Sequence, residues 1–387
     1  MKKSSITKAI YDFVQTEQSG GIVLICCAVI ALFFSNTSLS HSWFNFWEIE
    51  VGFVSLGLHK SLLHWVNDGL MAIFFLLVGL EIKREIVEGE LSSIKKSMLP
   101  IFAACGGMIA PAVIYSLINM GTDTINGWAI PMATDIAFAL GVLSLLGDRI
   151  PFSIKIMLTA LAIVDDLGSI IVIGLFYSED ISVTFLLAAM GTFGVLLIMN
   201  KFGIKSVILY LITGLFLWYF TLKSGIHASI SGVLLAFSIP LGKGETDSAA
   251  EKLIQIIHKP VSFFIMPVFA LANTGFIIHA KFEEVATSLV SLGVLAGLYF
   301  GKPLGIFLAS WLAIKMKWAD LPANAGWSHL LGVGFLGGIG FTMSIFISLL
   351  AFTNTNIQGF SKIAILVASV LSGLTGFFIL TRSSRKI

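Results

Sequence analysis

The chain has 387 residues, of which 57% are hydrophobic and only 12% carry a charged side chain. Soluble domains carry about 25% charged residues, so this composition excludes a soluble protein and indicates a chain surrounded by membrane lipid. The long polar and apolar alternation that marks membrane β-barrels is absent, so that class is excluded too. The net charge of +2 comes from basic residues scattered singly between apolar runs, and no nucleic-acid partner is expected.

Charge-poor runs of roughly 17 to 25 residues, separated by short polar breaks, predict an all-α polytopic membrane protein with twelve spans. Residues 1–387 then form a single integral membrane domain. A cleaved signal peptide is the alternative for the first span, but no small-residue cleavage site ends its apolar stretch, so we expect the span to be retained. The predicted spans begin near residues 14, 62, 98, 127, 154, 182, 205, 224, 250, 291, 328 and 359.

The lysine and arginine residues lie mostly on one side of these spans. With the N-terminus inside, 19 of the 24 lie in cytoplasmic segments, and Lys302 falls within a span. Because positively charged loops stay cytoplasmic, both termini are predicted to be cytoplasmic. The four basic residues on the opposite side are Lys60, Lys223, Lys281 and Lys362.

Residues 36–60 separate the first two spans on the extracytoplasmic side. Phe46 to Val54 alternate partly like a β-strand, which favours a hairpin that pairs with a second copy of the chain through exposed edges. On that interpretation residues 45–58 join a homodimer. An irregular loop fits the same residues equally well.

The second span ends in a group of charged residues at the cytoplasmic rim. Glu81, Arg84, Glu85 and Glu88 are three or four residues apart and therefore share one helical face, where ion pairs can form. Such a cluster could respond to cytoplasmic pH, although ordinary ion pairs at a solvated helix end are the simpler interpretation. Asp68, at the opposite end of this span, is expected at the membrane rim.

The fourth and eleventh spans both carry the signals of a broken helix. Pro131 removes a backbone donor ahead of the buried Asp135, and five glycines lie between Leu331 and Gly340. Broken helices expose partial charges at their ends, which need compensation in a low dielectric. Asp135 facing helix N-termini and Lys302 facing C-termini would supply it. For the glycine cluster, tight helix packing alone is the alternative.

Asp165 and Asp166 are the most informative residues, because their apolar run from Ile156 to Tyr177 has no other charged residue. A carboxylate near the bilayer centre costs at least about 2.5 kcal/mol, so two in succession indicate that they handle a cation. Neighbours on a helix point about 100° apart, so the two should have separate roles. Lys302 is the only basic candidate at this depth and the expected partner of one of them, and it could release or accept a proton during a cycle. Purely structural ion pairing is the alternative.

Five sequence motifs, in order along nearly the whole chain, resemble those of the bacterial NhaA-type Na⁺/H⁺ antiporter. The resemblance implies electrogenic export of Na⁺ or Li⁺ driven by inward H⁺ across the bacterial inner membrane, raised at alkaline pH, with no cofactor and no enzymatic reaction. It also implies inverted repeats with two discontinuous helices that cross, a rule for which these antiporters are themselves examples. The motifs are Gly79 to Glu85, ATDIAFALG at 133–141, AIVDDLG at 162–168, GKPLG at 301–305 and GIGFTMSIF at 338–346.

The resemblance also assigns roles to the buried residues. Asp166 matches the central carboxylate that binds the transported cation and the proton, with Asp165 beside it and paired to Lys302. Thr134 and Asp135 match residues at the crossing of the two broken helices.

Regulation by pH is implied for a second group of residues. Glu81 and Arg84 match positions linked to pH activation. Family members can carry an acid and a histidine where this chain has Ile254 and Gln255, while His258 is retained, so the pH set-point is left open.

Two other functions fit an intramembrane pair of acids. An intramembrane aspartyl protease draws its two carboxylates from facing segments, whereas Asp165 and Asp166 are adjacent. A passive cation channel would conduct without coupling to a pH gradient. The adjacent acids and the lysine at depth favour exchange, in which Na⁺ and H⁺ compete for one site that opens alternately to the two sides.

Overall fold

A computed structural model describes residues 17–178, 181–242, 248–277 and 282–384. Within these ranges the chain is almost entirely helical, and the predicted all-α membrane protein is confirmed. The predicted start of the first span near residue 14 lies outside the described residues. So do seven of the basic residues used to predict the orientation, Lys2, Lys3, Lys8, Lys243, Lys281, Arg385 and Lys386.

The helices follow one another with short connections. The first helices are α1 (Glu17–Ser35), α2 (Ser40–Glu48), α3 (Met71–Val87), α4 (Ile94–Ile118) and α5 (Ile136–Ser144). The middle of the chain forms α6 (Phe152–Phe176), α7 (Val183–Lys201), α8 (Val207–Lys223), α9 (Ser229–Ser238), α10 (Ala249–Pro260) and α11 (Met266–Asn273). The last helices are α12 (Phe282–Thr287), α13 (Leu289–Ala296), α14 (Lys302–Lys315), α15 (Trp327–Gly337), α16 (Phe341–Ala351) and α17 (Thr355–Ser384).

Several helices are joined by tighter or wider turns. Three π-helical segments, Trp65–Leu70, Val261–Ile265 and Gly297–Gly301, lead directly into α3, α11 and α14. A short α-helical turn, Leu62–His64, precedes the first of them. The longest 3₁₀ segment, Asp123–Met132, precedes α5. Shorter 3₁₀ turns are Val54–Leu56, Glu90–Ser92 and Gly147–Arg149.

The helices account for the twelve predicted spans. Among the described residues, six helical stretches are long and apolar enough to cross a membrane alone, and three pairs bent at a short break raise the number to nine. The other three predicted spans correspond to the shorter helices α3, α8 and α9. The seventh and eighth spans, which are hard to separate in the sequence, are divided at Gly225, whose φ of +84° favours glycine.

The segment between the first two spans is partly helical. α1 and α2 meet at a bend of 114°. Two short strands follow, β1 (Glu50–Val51) and β2 (Lys60–Ser61), which pair antiparallel with Glu50 opposite Ser61. Phe53 and Val54, between the strands, are exposed. The homodimer through residues 45–58 remains a prediction.

The chain divides into two compact units, and one of the four boundaries between them falls between Asp165 and Asp166 of α6. The first unit contains residues 17–30, 98–165 and 282–384, and the second contains the described residues of 31–97 and 166–277. Close glycine contacts hold each unit together. In the first, a Cβ on Gly106 would lie 2.2 Å from the Gly305 carbonyl oxygen, so α4 and α14 touch along their backbones.

The same kind of contact occurs in the second unit. A Cβ on Gly232 would lie 2.1 Å from the carbonyl oxygen of Ala72, so α9 and α3 pack backbone to backbone. Any side chain at Gly232 would force these two helices apart.

Candidate functional site

Both predicted broken helices are present, and they cross within the first unit. The 3₁₀ segment Asp123–Met132 and α5 meet at 41°, and α15 and α16 meet at 45°. The two breaks contact each other through backbone groups: the Asp135 N–H donates to the Ile339 carbonyl oxygen at 2.7 Å. The Thr134 hydroxyl donates to the Gly337 carbonyl oxygen at 2.8 Å. Two discontinuous helices therefore cross, as the resemblance implied.

Asp135 serves the N-termini of both half-helices. Its Oδ1 accepts the Phe138 N–H at 2.9 Å, which caps α5. Its Oδ2 accepts the Thr342 N–H at 3.2 Å and the Thr342 hydroxyl, at the start of α16. Helix N-termini carry partial positive charge and unsatisfied N–H groups, so one buried carboxylate compensates two helix ends.

Lys302 lies at the C-terminal end of a broken helix, whereas Asp135 lies at two N-terminal ends. Its ammonium donates to the carbonyl oxygen of Met132, the last residue of the broken 3₁₀ segment, and to Asp165 Oδ2 at 2.6 Å. Lys302 and Asp165 are both 0% exposed. A positive charge at a helix C-terminus is favourable, and the carboxylate compensates it in a region without water.

The direction of Lys302 depends on the π-helical turn Gly297–Gly301 just before it. A Cβ on Gly297 would lie 2.6 Å from the Pro131 side chain, and one on Gly301 would lie 2.8 Å from the backbone of Pro111. Only glycine allows this approach to the broken helix. π-turns occur often at functional sites, where they redirect side chains.

Asp166 follows Asp165 on α6 and is 2% exposed. Thr134 is close enough to Asp165 for its hydroxyl and N–H to act on that carboxylate. Among the described residues, no three His, Cys, Asp or Glu side chains are placed to share a metal ion.

Glu81 and Arg84 belong to the second unit, near the end of α3. Arg84 Nη1 lies 3.7 Å from Glu251 Oε1 in the first turn of α10, so the charged cluster of α3 reaches another helix. One turn beyond Glu251, Ile254 is buried and Gln255 is exposed. This chain thus has an apolar contact at position 254.

Asp68, which was expected at the membrane rim, packs inside the protein. Asp68 is buried, and its carboxylate lies 2.8 Å from His64 Nε2 and 3.3 Å from His227 Nε2. The Trp218 indole N–H donates to its carbonyl oxygen at 2.9 Å. The π-helical turn Trp65–Leu70 carries Asp68 inward, and sequence spacing gives no signal for such a turn.

Lys362 is a second buried basic residue that the sequence reasoning missed. It lies about two turns into α17 and is buried, whereas Lys302 was expected to be the only lysine at depth. The sequence feature that indicates burial of Lys362 is its position inside the apolar run after Thr355.

Several hydroxyl groups at the crossing were also missed. Thr342 bonds to Asp135, and the Ser344 hydroxyl donates to the Ile130 carbonyl oxygen at 2.8 Å. The sequence feature that could have indicated them is the threonine and serine that follow the glycines in GIGFTMSIF. Serine and threonine usually bond to their own helix, so the motif alone does not show that these reach another one.

Discontinuous helices that meet at membrane depth around ionisable residues are typical of secondary active transporters, and this chain is of that class. Comparison with known proteins narrows the class. The profile of a family described as Na⁺/H⁺ antiporter 1 matches residues 11–380. The chain belongs to this family, and it exchanges Na⁺ for H⁺ across a membrane.

Two bacterial relatives match almost end to end. The Na⁺/H⁺ antiporter NhaA of Flavobacterium psychrophilum is 50% identical over 373 residues, which cover 96% of each chain. The Na⁺/H⁺ antiporter NhaA of Pelagibacter ubique is 49% identical over 388 residues, covering 99% of each. Among solved structures, the sodium proton antiporter MjNhaP1 from Methanocaldococcus jannaschii has a similar fold, with a TM-score of 0.54 and 14% identity over 95% of this chain and 92% of that one.

We predict that Lys302→Met destabilises the protein more than any exposed lysine substitution. Removing one partner of a buried ion pair costs about 3–5 kcal/mol, because the other charge remains buried. The double variant Asp165→Asn/Lys302→Met removes both charges and should recover most of the loss. Thermal unfolding of detergent-purified protein measures this, with the exposed Lys201→Met as control. Equal melting temperatures for Lys302→Met and Lys201→Met would contradict it.

Proposed function

We propose that Asp166 binds Na⁺ or Li⁺ and H⁺ in turn, and that Asp165 and Lys302 form the charge pair beside it, with Lys302 coupled to the exchange through its own proton. The observation that carries this division is the direct bond between Asp165 and Lys302. Since neighbouring helix residues point about 100° apart, Asp166 presents its carboxylate in a different direction. The resemblance of AIVDDLG to the family motif supports the same order of roles.

Exchange follows from competition for a single carboxylate. An ionised carboxylate supplies both charge and oxygen ligands to Na⁺, and a bound proton removes both. The site therefore holds either the cation or the proton. If it opens alternately to the two sides, a proton gradient drives Na⁺ in the opposite direction without ATP.

The crossing helices provide the setting for this reaction. Thr134 and Asp135 form hydrogen bonds between the two breaks. The polar backbone groups near Asp165 therefore find partners within the protein and are not exposed to lipid. We place the protein in the bacterial inner membrane with both termini cytoplasmic. The distribution of lysine and arginine and the bacterial relatives support this placement.

We predict that Asp166→Asn abolishes exchange and leaves the protein in the membrane. The amide is nearly isosteric but carries no charge and binds no exchangeable proton. Everted membrane vesicles report exchange as a Na⁺-induced collapse of ΔpH, and Asp320→Asn, on an exposed loop, is the matched control. Wild-type collapse by the Asp166→Asn vesicles would refute the assignment.

We further predict that the exchange is electrogenic, with more than one H⁺ for each Na⁺ or Li⁺, because Lys302 gives up a second proton when Asp166 releases its own. For n competing protons the apparent KM for the cation falls about 10ⁿ-fold per pH unit over the range in which the site is protonated. In proteoliposomes with the proton gradient held constant, an inside-negative potential should then accelerate the efflux of Na⁺ and of Li⁺. Efflux independent of the potential would show electroneutral exchange, and flux without any coupling to H⁺ would show a channel.

Regulation by pH is proposed for Glu81, Arg84 and Glu251. The contact between Arg84 and Glu251 joins α3 to α10, so changes in charge at this cluster act on two helices at once.

We predict that Arg84→Gln shifts the pH of half-maximal activity by up to about 0.7 units. A partly exposed ion pair contributes about 0.2–1 kcal/mol, and a shift of one pH unit corresponds to about 1.36 kcal/mol. Glu251→Gln should cause a similar shift, and the double variant no more than either single one. Proteoliposome transport over a pH series measures it, with the exposed Arg149→Gln as control. Unchanged profiles in both single variants would exclude this cluster as the regulator.

A further inference from the structure

The half-helix α16 has no N-terminal cap of its own. The residue before it is Gly340, which has no side chain to offer, and α16 shows no local side-chain cap. A Cβ at this position would lie 2.1 Å from the Ser344 hydroxyl oxygen, so a capping residue does not fit there. The first N–H groups of a helix lack acceptors within it, and inside a membrane they need partners from elsewhere.

Two residues of the first unit supply these partners. Asp135 Oδ2 accepts the Thr342 N–H at 3.2 Å. Ser369 Oγ, on α17, accepts the Phe341 N–H at 3.1 Å, and Ser369 is buried. Consecutive N–H groups of α16 therefore bond to two different segments, one through a carboxylate and the other through a hydroxyl.

We propose that Ser369 is a positioning residue for the exchange reaction, which holds the start of α16 so that Thr342 keeps both of its bonds to Asp135. This inference rests on the proposed function. Without Ser369 the Phe341 N–H loses its acceptor. Asp135 Oδ2, which accepts the next N–H, lies beside it, so we expect the Asp135 carboxylate to shift toward the Phe341 N–H. A shift of that carboxylate reaches Thr134, its neighbour in the chain, which faces Asp165. The effect is therefore expected on cation affinity.

Ser372 shows that burial of a hydroxyl on α17 is not sufficient for this role. It lies one turn beyond Ser369, is completely buried and approaches the same break, since a Cβ on Gly338 would lie 2.7 Å from its Oγ. Within the described residues, however, the Ser372 hydroxyl makes no hydrogen bond. Ser372→Ala thus removes the same atom at the same depth without removing a bond.

The charge preference of a helix N-terminus offers a sharper test. Negative charge is favourable there, and positions 135 and 369 face the same end of α16. A carboxylate introduced at 369 can therefore replace the one lost from Asp135. A residue that only fills space would give no such compensation.

The experiment measures Na⁺-dependent exchange in proteoliposomes across a pH series. We expect Ser369→Ala to raise the apparent KM for Na⁺ about fivefold, the factor that corresponds to one lost hydrogen bond, with little change in kcat. Ser369→Thr, which keeps the hydroxyl, and Ser372→Ala should match the wild type. Asp135→Asn/Ser369→Asp should exchange faster than Asp135→Asn alone.

Three results would overturn the proposal: a wild-type KM and pH profile for Ser369→Ala, an equal loss in Ser372→Ala, or no gain from Ser369→Asp in the Asp135→Asn background. If Ser369→Ala does not accumulate in the membrane, Ser369→Cys, of similar size but a poorer acceptor, is judged by the same criteria. Asp166→Asn separates the two levels of inference. Its inactivity beside a normal Ser369→Ala refutes only the role of Ser369, whereas wild-type exchange by Asp166→Asn refutes the proposed site itself.

Discussion

The ammonium group of Lys302 lies between the Asp165 carboxylate and the Met132 carbonyl oxygen, and the arrangement of the first unit depends on this interaction. In a region of low dielectric, neither the lysine, the aspartate nor the bare helix end is tolerable alone. Together they compensate one another and join three segments, α6, α14 and the 3₁₀ part of the broken span. The glycine contact between α4 and α14 keeps the lysine-bearing helix close enough for this.

The two breaks are compensated unequally. The C-terminal end at Met132 receives a full positive charge from Lys302, whereas the C-terminal end at Gly337 receives only the neutral Thr134 hydroxyl. Both N-terminal ends share Asp135. The positive charge therefore lies on the side of the crossing where Asp165 is, and the C-terminal end of the other break is held by hydroxyl and backbone groups.

Much of this arrangement is readable from the sequence, because charge inside an apolar run is costly and has few explanations. Asp165, Asp166 and Lys302 stand out for that reason, and Pro131 and the glycines before Phe341 locate both breaks. The pairing of Asp135 with N-termini and of Lys302 with a C-terminus also follows from helix electrostatics. Residue types alone carry these inferences.

Other features of the structure cannot be predicted from the sequence in this way. A serine in an apolar helix usually bonds to its own backbone, so nothing distinguishes Ser369, which accepts a bond from another helix, from Ser372, which does not. The contacts of Asp68 with His64 and His227 are also not visible in the sequence, because they depend on a π-helical turn. Such a turn depends on which carbonyl each N–H selects, and this is decided by tertiary packing.

The π-turn at Gly297–Gly301 has a consequence for everything that follows it in the chain. Each N–H in a π-turn bonds one residue further back than in an α-helix, which amounts to one inserted residue and changes the helical phase by roughly 100°. The phase of α14 is therefore set before Lys302 begins it. With that phase, Lys302 faces Met132 and Asp165, and Gly305, three residues later, faces Gly106. The direction of the ammonium group and the backbone contact between α4 and α14 are thus both fixed by the same extra residue.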